Sequence, residues 1–416
     1  MKTMQKLQTL SGFRDFLPDE KRQRDFVAKK IIAVFERFGF EPLETPTLEY
    51  ASLLLGKYGT EADKLVYTFK DKADREIGLR YDQTVPTARV LAQYRNELPK
   101  YFRRYQIQNV FRAEKPQKGR FREFTQCDID IFGSTDPVSD AEILACTYAS
   151  FKNVGFPTVT LKINDRAVLL STLNQFASPS ISVFSIIQSI DKLDKMPEAK
   201  VVTELTRKGL SPENAQAALT AIKNAPVSEN LQAIMNTAQE LGIPKSDLVF
   251  TPTLARGLDY YTGMIFEVVV PEYGSNSLAG GGRYDNLIEQ LGGLNTPAVG
   301  IAFGFDRMVE AAQQLNLIVT ENLSTQVLIT IFNHALMQAS IAIAKNLRSE
   351  NISTELFPVA IEKLDKQLKY ADRKGIPYVV IVGPEETAQN KVKLKDMKKR
   401  SEELLNPEDI IKRLTP

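Results

Sequence analysis

The sequence predicts an α+β protein. A domain built around a long antiparallel hairpin and further short strands carries a helical insertion, and a smaller mixed α/β domain follows. Three observations predict this. Residues 105–114 and 121–132 alternate apolar and polar as two long strands joined by the polar turn KPQKGR. From about residue 167 to 242 the chain is polar and helical in pattern, without a strand signal until LVFTPTL. Beyond residue 326 the runs VLITIF, TELF and PYVVIVG alternate with helical patterns in one compact stretch. We therefore expect domains at 1–322, with the insertion at about 167–245, and at 326–416, joined around ENLST.

Each element follows from local pattern. Residues 19–38 place Phe26, Val27, Ile31, Val34, Phe35 and Phe38 at helical spacing, and Gly39 ends the run. Pro42 and Pro46 force PLETPTLEY into an extended path. Residues 65–79 hold two short strand-like runs around DKADRE, and RYDQTVPTARVLAQY reads as a strand end turning into a helix. A helix over 139–154 opens with a capping box of Ser139 and Glu142, and a strand follows from Thr158. Strands resume at Leu248 and in MIFEVVV. A glycine run, AGGGRYDNL, comes next, and PAVGIAFGFDRMVEAAQQL reads as a strand feeding a helix.

Composition narrows the chemistry. Hydrophobic residues make up 43% of the chain, which argues against global disorder. The formal net charge is only +2, so any nucleic-acid contact must come from local basic patches. No apolar run is long enough to span a bilayer, and the mixed start MKTMQKLQTLSGFRDFLPDE does not read as a signal peptide. A cytoplasmic protein with no membrane partner is expected. Cys127 and Cys146 are too few for a metal cluster or a disulfide framework and read as buried thiols. A single histidine, His334, all but excludes a histidine-based metal site or a Ser-His-Asp machine. The chemistry falls to arginines, carboxylates, tyrosines and backbone groups.

Such groups collect on the hairpin, where strand side chains alternate faces. One face carries Tyr105, Ile107, Phe111, Ala113, Thr125, Cys127, Ile129 and Ile131 and packs a core. The other carries Gln106, Gln108, Val110, Arg112, Glu114, Arg122, Phe124, Gln126, Asp128, Asp130 and Phe132. A polar face of this kind is either the solvated side of an antiparallel sheet or the floor of a site. Arg112, Glu114 and Phe124 meet at the hairpin mouth beside a basic turn. An arginine fork suits a phosphate and a phenyl face suits a stacked base. On spacing alone, both readings stand.

FRAEKPQKGRFREF, residues 111–124, resembles motif 2 of the class II aminoacyl-tRNA synthetases, in the form particular to the histidyl-tRNA synthetase family. VGIAFGFDRMVE resembles motif 3, ending in its arginine. FGFEPLETPTLEY resembles motif 1, the dimer-forming segment, with its proline at Pro46. LARGLDYYTGMIFEV and AGGGRYDNL are similar to stretches particular to the same family, and the tail from about residue 326 resembles the anticodon-binding domain of several class II synthetases. The resemblance runs from about residue 9 through the tail. It implies a class II antiparallel-sheet catalytic core with a helical insertion, a C-terminal mixed α/β anticodon-binding domain, and a homodimer.

By that resemblance the chain would activate histidine with ATP to histidyl-adenylate and pass the histidyl group to the 3′ end of its tRNA, tRNA(His). Arg112 would hold the α-phosphate and the amino-acid carboxylate, and Arg256 would supply there the charge that a metal supplies in other class II enzymes. Glu114 would accept from the adenine amino group, with Phe124 stacked on the ring. Arg307 would cover the other face and meet the γ-phosphate, and Arg120 would reach the outer phosphates. Asp82, Thr84, Gln126, Asp130, Tyr260 and Tyr261 would form the histidine pocket, where an anionic acceptor selects an N–H donor. Asp82 and Asp130 stand where many bacterial members carry glutamate, one methylene longer. Gly280, Gly281 and Gly282 would let backbone approach the substrate, and Tyr284 either closes the pocket or packs in the core. Mg²⁺ is expected with ATP, with no protein ligand singled out. The loop 115–119 would meet the acceptor end of tRNA, and the basic run KVKLKDMKKR is either a tRNA contact or a solvated hairpin. A regulatory paralogue acting with ATP phosphoribosyltransferase would usually lose the arginine segment and the anticodon domain, both kept here. RGLDYYTG and the Gln126/Asp130 pair argue against a class II enzyme for proline or threonine.

Overall fold

The structure, a computed structural model, describes residues 7–55, 65–116, 120–194, 196–256, 260–291, 294–319 and 325–414. Contacts divide the chain into two units, Met1–Ile318 and Val319–Pro416. The first begins with α1 (Pro18–Arg37), β1 (Glu41–Pro42), β2 (Leu48–Tyr50), α2 (Ala51–Leu54), β3 (Thr68–Lys70), β4 (Glu76–Leu79) and α3 (Thr84–Gln93). The hairpin β5 (Phe102–Phe111) and β6 (Glu123–Phe132) leads to α4 (Pro137–Val154) and β7 (Thr160–Asp165). Helices α5 (Arg166–Leu173), α6 (Val183–Ile190), α7 (Glu198–Arg207), α8 (Pro212–Lys223) and α9 (Glu229–Glu240) follow. The unit closes with β8 (Leu248–Phe250), β9 (Met264–Val269), β10 (Ala279–Arg283), α10 (Leu287–Gln290), β11 (Ala298–Phe303) and α11 (Phe305–Gln314).

These strands form a sheet in the order β1-β5-β6-β11-β10-β9-β7-β8. The six central strands run antiparallel throughout, while β1 and β8 join the edges in parallel. One face is packed by α1 and α4. Val27, Ile31, Val34 and Phe35 on α1 and Ile143, Leu144 and Phe151 on α4 are fully buried in one cluster with Cys127, Ile129, Phe266 and Phe303 of the sheet. Truncating a core phenylalanine such as Phe35 to alanine costs about 3–5 kcal/mol in such a setting. The opposite face carries the polar side chains beside a second apolar cluster that includes Phe102, Phe132 and Ile265, and a second sheet has the order β2-β4-β3.

Two local expectations change. Helix α4 is not opened by a Ser139/Glu142 box. Asp136 caps it, accepting from the Val138 N–H at 2.9 Å, with Pro137 in the first turn. Ser139 is buried inside the helix, and Glu142 pairs with Arg103 at 2.6 Å. Within the helical stretch, α5–α8 share one apolar cluster through Leu169, Ile187, Leu205 and Leu219, whereas Leu231, Ile234 and Ala238 of α9 join the cluster under the main sheet and pack on α4.

The second unit comprises β12 (Val327–Ile329), α12 (Met337–Ser349), β13 (Thr354–Leu356), α13 (Leu364–Lys374), β14 (Tyr378–Ile381), α14 (Pro384–Ala388), β15 (Val392–Asp396), β16 (Ser401–Leu405) and α15 (Pro407–Leu414). Its sheet, β13-β12-β14-β15-β16, is parallel across the first three strands and antiparallel across the last two, the mixed order expected. The run KVKLKDMKKR forms β15 and its turn into β16, where Lys395 and Lys393 pair with Glu402 and Glu386 at 2.6 and 3.1 Å. His334 is an exposed loop residue ahead of α12. Among the described residues no helix is long and apolar enough to cross a membrane.

Candidate active site

The β5–β6 register sets Arg104 opposite Asp130, Gln106 opposite Asp128, Gln108 opposite Gln126 and Val110 opposite Phe124. The alternation thus gathers the polar side chains as the sequence implied. This face is not solvated: Arg104 and Gln106 are 1% exposed, Asp128 3% and Asp130 5%. Buried polar groups of this kind need partners. Arg104 Nη2 lies 2.7 Å from Asp130 Oδ2 and 3.7 Å from Asp128 Oδ2, and its Nη1 donates to Gln106 Oε1 at 3.2 Å. Tyr284 donates its hydroxyl to Asp130 Oδ1. Next door on β11, Gly300 faces Asp130; a Cβ there would lie 1.9 Å from Asp130 Oδ1, so only glycine leaves the carboxylate its place.

Above this floor lies a cavity of about 800 Å³. All twelve residues given ATP or histidine contacts by the resemblance line it: Asp82, Thr84, Arg112, Glu114, Arg120, Phe124, Gln126, Asp130, Arg256, Tyr260, Tyr261 and Arg307. Six residues separate Phe124 from Asp130 on one strand, a span of roughly 20 Å. That is room for two ligands end to end.

Each wall is fixed by backbone or by buried polar contacts. Gln83, fully buried, donates to the carbonyls of Gln126 and Gln108 at 2.9 and 3.3 Å and so ties the start of α3 to the hairpin. Beside it Asp82 Oδ1 accepts from the Val85 N–H at 3.1 Å. Arg112 Nε donates to the Tyr81 carbonyl at 3.2 Å, and its guanidinium carbon lies 4.9 Å from the Phe124 ring centre. Glu114 faces Arg120 at 3.8 Å, a loose pair that an incoming anion can open. The rings of Tyr260 and Tyr261 stand 4.3 Å apart.

Arg256 crosses the opposite wall. Its Nε is 3.0 Å from Glu267 Oε1 on β9, and its Nη1 reaches Ser277 Oγ at 3.5 Å. Arg307, in the first turn of α11, donates to the Ser277 carbonyl at 3.3 Å. Gly280 makes this possible: a Cβ there would lie 1.5 Å from Arg256 Nη1. The same glycine lines the cavity, and its bare Cα also leaves room for a neighbour's side chain. The N-terminal segment clasps the same end of the cavity. Arg14 and Arg24 both pair with Asp306, beside Arg307, and the Arg14 guanidinium sits 3.4 Å from the Phe121 ring centre.

Burial pushes the carboxylates up. Asp82 rises to about 6 and Asp128 to about 7 as desolvation outweighs the nearby arginines; Asp130 is raised by the same cause. Burial also raises the hydroxyls of Tyr260, Tyr261 and Tyr284, so all three are neutral donors at pH 7.

Sequence reasoning gave no role in the site to two residues, Arg104 and Asp128, and left Tyr284 open between pocket and core. Asp128 carried a usable signal, the parity it shares with Gln126 and Asp130. Tyr284 proves to be both buried and cavity-lining. Gln117, Lys118 and Gly119 of the hairpin loop, expected to meet tRNA, and Gly257, Leu258 and Asp259 after Arg256 lie outside the described residues.

A six-stranded antiparallel floor, an arginine-rich cavity along it and a separate mixed α/β unit define a class II aminoacyl-tRNA synthetase. Comparison with known proteins narrows the class. A family model described as histidyl-tRNA synthetase matches residues 12–308, and one described as anticodon binding domain matches residues 326–415. Histidine–tRNA ligases from Christiangramia forsetii and Gloeobacter violaceus are 39% and 38% identical, covering 93% and 96% of this chain and 94% and 96% of their own. The crystal structure of histidyl-tRNA synthetase from Nostoc sp. PCC 7120 superposes with a TM-score of 0.84 at 29% identity, covering 98% of both chains. The chain belongs to the histidyl-tRNA synthetase family.

Proposed function

We propose that the cavity binds ATP and histidine end to end, joins them as histidyl-adenylate and delivers the histidyl group to tRNA(His). The observation that carries this reading is the convergence of Arg112, Arg256 and Arg307 on one cavity whose far end is lined by buried carboxylates. In the first step a histidine carboxylate oxygen attacks the α-phosphorus of ATP and pyrophosphate leaves. Negative charge grows on the α-phosphoryl oxygens, and the fixed cations Arg112 and Arg256 meet it without reorganising. Phe124 and Arg307 hold the adenine between them while Glu114 accepts from its amino group. Arg120 and Arg307 steady the departing pyrophosphate. In the second step a hydroxyl at the tRNA 3′ end attacks the acyl carbon and AMP leaves. Asp82, Thr84, Gln126, Asp130, Tyr260 and Tyr261 select histidine by its N–H groups.

Mg²⁺ enters as part of the ATP complex. Among the described residues no three His, Cys, Asp or Glu side chains are grouped to hold a metal. The carboxylates nearest the phosphate end are engaged, Glu267 by Arg256 and Asp306 by Arg14 and Arg24. An ion carried mainly by phosphate oxygens and water, as Mg²⁺ usually is, suits this donor set. The anticodon-binding unit contacts tRNA, and the protein works in the cytoplasm as a homodimer formed through the segment around Pro46. Exposed Leu48 and Tyr50 support that interface.

Pyrophosphate exchange into ATP, run with each amino acid in turn, tests the reading. Exchange with histidine alone, abolished in Arg256→Ala, is expected. Exchange with a different amino acid would overturn the substrate. Histidine binding without exchange would favour a regulatory histidine sensor.

A further inference from the structure

Asp128 takes no part in the reaction as proposed, yet its surroundings suit a cation. It is 97% removed from solvent by its 3% exposure, and it lines the cavity. Its Oδ2 accepts from Gln126 Nε2 at 2.8 Å, while its Oδ1 is buried with no hydrogen-bond partner. An unpartnered buried carboxylate oxygen costs desolvation energy unless something supplies a proton or an N–H. The groups facing it can be counted from every side. From β5 comes the Arg104 guanidinium, 3.7 Å away and closer to Asp130. Along β6 stand Gln126 and Asp130. From ahead of α3 comes Asp82, and across the cavity are the hydroxyls of Tyr260 and Tyr284. Behind it lies the thiol of Cys127, kept neutral by burial. Three carboxylates therefore share one fully buried cation, with Arg112 reaching Asp82 from the cavity side. One positive charge is missing.

We propose that Asp128 is a further ligand of the amino acid, that it is protonated in the empty cavity, and that it releases this proton when the α-ammonium group docks against its free oxygen. This rests on the reading of the cavity as a histidine site. The proton passes from the carboxyl to the buffer, and the ammonium replaces it with an N–H donor and a full positive charge. A pKa of about 7 leaves Asp128 half-protonated at neutral pH, so the coupling falls in an accessible range. Asp130 is not a substitute, because Tyr284 and Arg104 already occupy its two oxygens.

Calorimetric titration with L-histidine at pH 7, in phosphate and in Tris, reads the linked protons. Wild type is expected to release about half a proton per site more than Asp128→Asn, which keeps the shape and loses the titration. The ratio of the variant's Kd to that of wild type should fall about tenfold from pH 8 to pH 6, as wild type must first shed its proton. The ratio also removes the titration of histidine's own imidazole. Equal proton release in both proteins would overturn the proposal. So would no release from wild type while histidine still binds, a result that needs no variant. Equal release with imidazole-4-propionate, which lacks the ammonium, would overturn the choice of ligand group. Absence of any histidine binding to wild type is a separate result: it would overturn the functional reading, and this proposal with it.

Discussion

Replacing Gly280 by alanine tests the position of Arg256 without removing its charge. The new Cβ would lie 1.5 Å from Arg256 Nη1 and 2.5 Å from its Cζ, against ordinary contacts beyond 3.4 Å. The guanidinium must therefore retreat by roughly 2 Å, and misplacement of a reacting group by ~1 Å can already cost about a hundredfold. The 3.0 Å pair with Glu267 and the 3.5 Å contact with Ser277 would go with it. Losing one preorganised charge from a transition state costs about 10²–10³ in rate, or ~3–4 kcal/mol. The fold should not suffer. The three nearest atoms to the added Cβ all belong to the mobile end of one arginine, and alanine is at least as favourable as glycine within a strand. The assay is pyrophosphate exchange with histidine, beside a thermal melt. We expect exchange to fall by two to three orders of magnitude with the melting temperature within a few degrees of wild type. The double variant with Arg256→Ala should be no worse than Arg256→Ala alone. Exchange within about threefold of wild type would refute the claim that Arg256 acts from its seat on β10.

Arg14→Ala removes one of the two partners of Asp306 and the cation over Phe121, so the ATP end loosens while the histidine end is untouched. The KM for ATP should rise about tenfold with the KM for histidine unchanged, as one charged hydrogen bond would give; an unchanged KM for ATP in exchange kinetics would count against the clasp. The pH dependence of stability gives a further check. Asp128 is raised by burial from the usual carboxylate range to about 7. A raised carboxyl stabilises the fold below its unfolded pKa, and that contribution is lost as pH rises through the folded value. Between pH 4 and 7 the ligand-free wild type should therefore lose on the order of 4 kcal/mol relative to Asp128→Asn, measured by urea unfolding at each pH. Parallel curves for the two proteins would contradict it.

What the sequence made legible was whatever is decided locally. Alternation along β5 and β6 separates Gln126 and Asp130 from Cys127 and Ile129 because neighbouring strand residues face opposite sides. Whether the polar side meets water is decided by distant segments. Thr45 accepts from Gln106 at 2.9 Å, Arg80 donates to the Thr45 carbonyl at 2.7 Å, and Gln83 bridges both strands. None of these contacts has a local signature. The roles of Arg112, Glu114 and Arg256 came from a motif resemblance, so residues outside its motifs, Arg104 and Asp128 among them, were given no role despite sharing the parity. The helix cap shows the same limit at short range: the expected cap Ser139 gives way to Asp136, one turn earlier, where Pro137 favours the start.

The pairing of β6 with β11 has a consequence for the birth of the protein. One half of the cavity floor is finished when Phe132 has been made, but its neighbour begins only at Ala298, after the whole helical stretch. At ribosomal speeds of ~5–20 residues per second that interval is roughly ten to thirty seconds. Throughout it Asp128 and Asp130 sit on the open edge of β6 without the glycine strand that later seals it. Their charges, so expensive to bury, keep that waiting edge wet and unattractive to other chains, as inward-pointing charges do on strand edges elsewhere. The residues that would read histidine in the mature protein would then also chaperone its own nascent sheet.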